Sequence, residues 1–288
     1  MRLAFDRFGS GPPVVFLMGI GAQRHLWPLP LLQAVCNAGF EVWRCDNRDT
    51  GESEHSTAPP PSLPAALVRS LTGSPVQAPY TLSDMARDVV EMMEANGVSS
   101  AHVVGVSMGG MIAQTMAIEH ASHVRSLVSI MSTTGSRKQG WPGLGPLFAL
   151  ATQGRANTPE EYRARLLRLQ KALGSGRHPP DPARLDELVE KGWSRSVDPS
   201  GLKRQFAAVL ASGSRGHALS SVTAPTLILH GADDPLFPPS FAHAQARAIP
   251  GARLRLFDGM GHELPAPLWD ELAHAIAEHA ARAEDARS

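Results

Sequence analysis

The chain lacks any surplus of charge. Its 288 residues hold 27 lysines and arginines against 27 aspartates and glutamates. Such a balance leaves no basic footprint for nucleic acid and no field aimed at a membrane surface. Long apolar runs are missing too, so no segment is expected to span a bilayer. The opening residues, MRLAFDRFGSGPP, have no apolar core of a secretory signal. Cysteine is scarce: Cys36 and Cys45 are too few for a disulfide framework or a thiolate zinc site. Both lie in apolar or strand-like surroundings and read as buried free thiols. What remains is a globular chain, 43% hydrophobic, with material for a real core. A cytoplasmic location and a small-molecule partner are expected, rather than a nucleic acid or a membrane.

The chain alternates two kinds of pattern. Leu3 to Phe8 alternates like a half-buried edge strand, and Val14 to Met18 is a continuous apolar run, as in a strand covered on both faces. Phe40 to Asp46, His102 to Val106, Val124 to Met131, Pro225 to Gly231 and Arg253 to Phe257 read as further strands. Between them lie helical patterns: one opened by Trp27-Pro28 and stopped near Gly39, Thr81 to Gly97, Met108 to His120 and Trp269 to Ala283. In the second of these, Thr81 with Asp84 is a start signal, and Leu82, Met85, Val89 and Met93 form an apolar stripe. This rhythm predicts an α/β fold with a mainly parallel sheet.

Two segments interrupt it. His55 to Pro79 is rich in Pro and Ser and reads as an inserted loop with one turn of helix. Ser132 to Val222 contains no convincing strand, but has helix starts at Thr158-Pro159, Asp181-Pro182 and Asp198-Pro199. The expected division is a core of residues 1–131 and 223–288 with a helical cap of residues 132–222. The cap's Gly140 to Ala151 is almost uncharged. Trp141 is the favoured pocket-wall residue there. Leu147 reads equally well as cap core.

The run VVGVSMGG, Val103 to Gly110, puts one serine between glycines after a strand. A phosphate cradle would need G-x-x-x-x-G-K-[ST], which is absent. Gly19-Ile20-Gly21 begins a dinucleotide fingerprint and Asp46 lies at a plausible distance, but Arg24 stands where the third glycine belongs. Gly105-Val106-Ser107-Met108-Gly109, by contrast, is G-x-S-x-G between a strand and a helix. That is the turn that lifts a nucleophilic serine above a sheet. A serine needs a base and an orienting acid. Asp233 and Asp234 follow one later strand and His262 follows the last, so their loops can converge on Ser107.

Four motifs in order, LMGIG, DNRDTGES, GVSMGG and HGADDPLFP with GMGH, resemble the α/β-hydrolase superfamily over nearly the whole chain. Met18-Gly19 together with RDTG resembles the aclacinomycin methylesterase group. The resemblance implies the α/β-hydrolase fold and a Ser107–His262–Asp234 triad. Asp234 is selected over Asp233 by G-x-x-D-x-x-x-P, running from Gly231 to Pro238. The backbone N–H groups of Ile20 and Met108 would form an oxyanion hole, with Gly19, Trp141 and Leu147 near the substrate. Many members carry His where this chain has Met18, which cannot donate a hydrogen bond to hold the loop. The reaction implied is hydrolysis of a neutral, mostly apolar ester, such as a methyl ester on a larger ring system, through an acyl-enzyme. Water is the second reactant, and no metal or organic cofactor is involved. The same triad serves lactonases, perhydrolases, amidases, carbon–carbon bond hydrolases and acyltransferases, and the same fold can serve a ligand receptor. A serine nucleophile argues against dehalogenases and epoxide hydrolases.

Overall fold

The continuous apolar runs of the sequence become the centre of one seven-stranded sheet. A computed structural model describes residues 1–193, 195 and 199–287. Its strands are β1 (Phe5–Gly9), β2 (Pro13–Leu17), β3 (Glu41–Cys45), β4 (Ala101–Val106), β5 (Val124–Ile130), β6 (Thr226–Gly231) and β7 (Arg253–Phe257). They lie in the order β1-β3-β2-β4-β5-β6-β7. Strands β4 and β6 are buried along their whole length, as expected where helices cover both faces. Edge strand β1 alternates and pairs antiparallel to β3, with Phe5 opposite Cys45. Every other pairing is parallel.

Helices α1 (Leu29–Asn37) and α10 (Trp269–Asp285) pack Leu31, Leu32, Val35, Leu272 and Ile276 against one face. Helices α3 (Leu82–Ala95), α4 (Met108–Glu119) and α9 (Ser240–Ala248) cover the other. The start of α3 is a full capping box. Asp84 N–H donates to Thr81 Oγ1, and Thr81 N–H donates to Asp84 Oδ2. Such a cap contributes about 1 kcal/mol.

Four helices lie between β5 and β6: α5 (Leu144–Ala151), α6 (Pro159–Leu173), α7 (Pro182–Trp193) and α8 (Pro199–Ser212). No strand occurs among the described residues of that interval. Proline opens α6, α7 and α8, and Thr158 Oγ1 accepts from Glu161 N–H at the start of α6. Asp198, expected to cap α8, lies outside the described residues. Two expectations need correction. The insertion at residues 55–79 forms the ten-residue helix α2 (Leu63–Thr72) rather than one turn. It runs on because Gly73, at φ +74°, supplies a left-handed stop only after Thr72. Cys45 is buried, but Cys36 is only partly so. No helix of the described residues is long and apolar enough to cross a membrane.

Candidate active site

Ser107 sits on the turn from β4 into α4 with φ 55° and ψ −117°, outside the ordinary regions for a side-chain-bearing residue. Such strain costs about 1–3 kcal/mol and persists only where the surroundings fix it. The glycines show how. A Cβ on Gly105 would lie 2.2 Å from the Gly109 carbonyl oxygen, and one on Gly109 would lie 2.2 Å from the Leu17 carbonyl oxygen. The turn therefore closes only with glycine two residues before and two after the serine. Ser107 N–H donates to the Ile130 carbonyl at 2.9 Å, and Ser132 Oγ–H donates to the Ser107 carbonyl at 2.8 Å.

Loops after β6 and β7 bring Asp234 and His262 to this serine. His262 Nε2 is 3.0 Å from Ser107 Oγ, and His262 Nδ1 is 2.8 Å from Asp234 Oδ2. The other Asp234 oxygen accepts the Leu236 and Phe237 N–H groups, each at 2.8 Å. With both oxygens engaged, the carboxylate fixes the imidazole with Nδ1–H toward itself and Nε2 toward the hydroxyl. Phe237 packs edge-on against the His262 ring at 5.4 Å. Asp233 points elsewhere: it accepts the Gly259 N–H and faces Arg177.

The loop after β2 approaches Ser107 from the other side. Gly19 faces it closely, since a Cβ there would lie 3.3 Å from the serine Cβ. Neither the Ile20 nor the Met108 N–H has a hydrogen-bond partner among the described residues. Met18 holds the loop with its backbone instead of its side chain. Asn47 Nδ2 donates to the Met18 carbonyl at 2.9 Å, and Gly21 N–H donates to Gln205 Oε1 at 2.7 Å. Gln205 is fully buried on α8, and its amide also donates to the Arg48 carbonyl and Thr50 Oγ1.

Above Ser107 opens a cavity of about 420 Å³. Its floor is Met18, Gly19, Ile20, Ser107 and His262; its wall includes Leu150, Leu166, Leu169 and Leu173. Neither Trp141 nor Leu147 is among the lining residues. Trp141 stands 61% exposed, and Leu147 packs against the core. The pocket-wall expectation for these two is corrected: α6 supplies the wall in their place.

These features coincide with a known family pattern, since residues 12–266 match the model described as alpha/beta hydrolase fold. The chain belongs to the α/β-hydrolase family. Among its relatives is rhodomycin D methylesterase DnrP of Streptomyces peucetius, 28% identical, with 93% of this chain and 90% of the relative covered. Rhodomycin D methylesterase DauP of Streptomyces sp. strain C5 is 27% identical over the same shares. The esterase EaEST of Exiguobacterium antarcticum shares the fold with a TM-score of 0.73 at 21% identity, covering 96% of this chain and 95% of that one.

In this hydrolase the dinucleotide fingerprint has a different meaning. Arg24 donates through Nη1 and its backbone N–H to Asp46, and its guanidinium also meets Asp6 and Glu52. The residues that broke or completed the fingerprint hold each other and brace the loop. Asn47 lies inside the DNRDTGES motif, so its role was within reach of the sequence. Gln205 had no local signal: its partners lie more than 150 residues away.

Proposed function

We propose that the protein is a serine hydrolase of carboxylic esters. The observation that carries this reading is the hydrogen-bonded chain Ser107–His262–Asp234 at the floor of an apolar cavity. His262 Nε2 takes the serine proton as Oγ attacks the ester carbonyl, and Asp234 stabilises the resulting imidazolium. The Ile20 and Met108 N–H groups receive the oxyanion; a donor of this kind is worth roughly 3–4 kcal/mol in the transition state. The imidazolium protonates the leaving alcohol. Water, deprotonated by the same nitrogen, then releases the acid from Ser107. Residues 132–222 act as a cap over residues 1–131 and 223–288 and set what enters. The lining is mostly apolar, which favours a largely apolar ester. The names of the methylesterase relatives support a methyl ester, and a balanced chain with free thiols suits the cytoplasm.

A fluorophosphonate probe tests the nucleophile. It should label Ser107, and Ser107→Ala should lose both labelling and hydrolysis of a short p-nitrophenyl ester. A parent protein that takes no label and turns over no ester ends this reading.

A further inference from the structure

Helix α6 turns one face to the cavity. Tyr162, Arg165, Leu166, Leu169, Gln170 and Leu173, at helical spacing, all line it. Arg165 is the odd member. It is 8% exposed, beside Leu166, Leu169 and Leu173; the other arginine that lines the cavity, Arg184, is paired with Glu187.

Four other arginines are similarly buried, and they show what such a group ordinarily has. Arg24 meets three carboxylates, Arg48 pairs with Asp88, and Arg204 pairs with Asp49 through two nitrogens. Arg215 has no carboxylate but donates to Gln114 Oε1 and to the Thr133 and Gly213 carbonyls. Arg165 has neither arrangement. No carboxylate lies within 4.0 Å of it among the described residues. It donates from Nη1 to the Gly154 carbonyl at 3.5 Å, the outer limit of such a contact, and also meets the Tyr162 hydroxyl. Its Nε–H is buried without a partner. The flat face rests on the Tyr162 ring at 4.6 Å. Burial pushes its pKa down, as expected of a desolvated cation without an anion.

An unmatched guanidinium in a wall is costly unless something arrives to meet it. Its face is covered by Tyr162, Nη1 is directed at Gly154 and Nε is enclosed, so the Nη2 end is what a ligand in the cavity would meet. A carboxylate accepts a charge-assisted N–H there, and a second from Nε once a small side-chain shift uncovers it. Two acidic residues line the same cavity but are engaged elsewhere. Asp181 accepts the Ala183 N–H, and Glu263 accepts the Ser175 N–H. Their presence disfavours a dianion such as a phosphate monoester.

Building on the hydrolase reading above, we propose that Arg165 recognises a carboxylate on the substrate, separate from the ester that reacts at Ser107. The site then takes an otherwise apolar ester that carries one free carboxylate. This replaces the neutral ester expected from the sequence.

The test compares p-nitrophenyl half-esters of dicarboxylic acids, succinate to suberate, with neutral alkanoates of matched length. Acetate esters of hydroxybenzoates, against the corresponding phenyl acetates, place the carboxylate on the alcohol side. In one series the parent should favour the anionic member by kcat/KM. Arg165→Met should lower that anionic-to-neutral ratio by about 10- to 100-fold, the weight of a charge-assisted hydrogen bond. Arg165→Lys should restore part of it. A merely structural arginine would lower the melting temperature and leave the ratio unmoved. An unchanged ratio, or a parent that favours neutral esters in both series, overturns the proposal. Calorimetric binding of glutarate and suberate to Ser107→Ala reads Arg165 without turnover. If they bind, and Arg165→Met abolishes it, the recognition role stands even should the protein hydrolyse no ester. If they do not bind, it falls.

Discussion

Ser107 and Arg165 line one cavity in two different kinds of surroundings. Around Ser107, glycine contacts, a strained backbone and a chain of short hydrogen bonds leave one arrangement open. Around Arg165, a leucine-lined wall holds a polar group with an unmatched donor. The floor is fixed in advance, as electrostatic preorganisation requires. On the proposed reading the wall would be completed by what binds, with chemistry carried by strand ends and choice by a helix between β5 and β6.

The largest expected effect separates the two aspartates of the floor. Asp234→Asn should lower kcat by about 10⁴-fold, because an amide favours the wrong tautomer of His262. Asp233→Asn removes a carboxylate that faces Gly259 and Arg177, and its kcat should stay within about threefold of the parent, as for most partly exposed positions. Steady-state kinetics on one p-nitrophenyl ester measures both. Equal losses would mean that Asp234 does not orient the imidazole.

A smaller effect tests how the floor is braced from the helix above it. Gln205 on α8 accepts from Gly21 N–H, one residue past the proposed oxyanion donor Ile20. Gln205→Ala frees that loop, so kcat should fall about tenfold, less than the 10²–10³ of losing a donor outright. KM should change little, since Gln205 does not line the cavity. A rise in KM at constant kcat would place its influence on binding instead.

The floor was far more legible in the sequence than the wall. G-x-S-x-G, the acid after β6 and the histidine after β7 are local patterns, because strand ends put chemistry on short loops. Central strand positions followed from continuous apolar runs, and the edge strands from alternation. The cap region's helix starts could be read from Thr158 and the helix-opening prolines. What could not be read was which way each helix faces. Trp141 is apolar yet exposed, and Leu147 packs into the core. An arginine among leucines reads as the solvated edge of an amphipathic helix, and only the packing of α6 over Ser107 shows Arg165 to be inside. With Met18 unable to donate, Asn47 from a legible motif and Gln205 from a distant helix hold the loop, and only the second contact needed the fold to be seen.

The smallest effect concerns stability, where wall and floor touch. His25 lies in the loop after β2 beside Tyr162 and Gly192, and it is buried with neither ring nitrogen hydrogen-bonded among the described residues. Burial, with Arg195 and Arg184 nearby, pushes its pKa down to about 3. Beneath the floor, burial pushes His102 and His279 down to about 4. All three are neutral when folded, while the unfolded chain protonates them below its ordinary value of about 6.5. Their contribution is therefore full above pH 6.5 and is lost as pH falls toward the folded values. For His25 alone the loss reaches about 2–3 kcal/mol by pH 4.5, at 1.4 kcal/mol per pH unit. His25→Phe keeps the ring volume and removes the proton acceptor. Its melting temperature should match the parent within a few degrees at pH 7.5 and exceed it at pH 4.5 by about 4–10 °C. The profile should not become flat, because His102 and His279 still titrate. Parallel melting curves for parent and variant from pH 4.5 to 7.5 would show that the contact between wall and floor does not carry this part of the acid sensitivity.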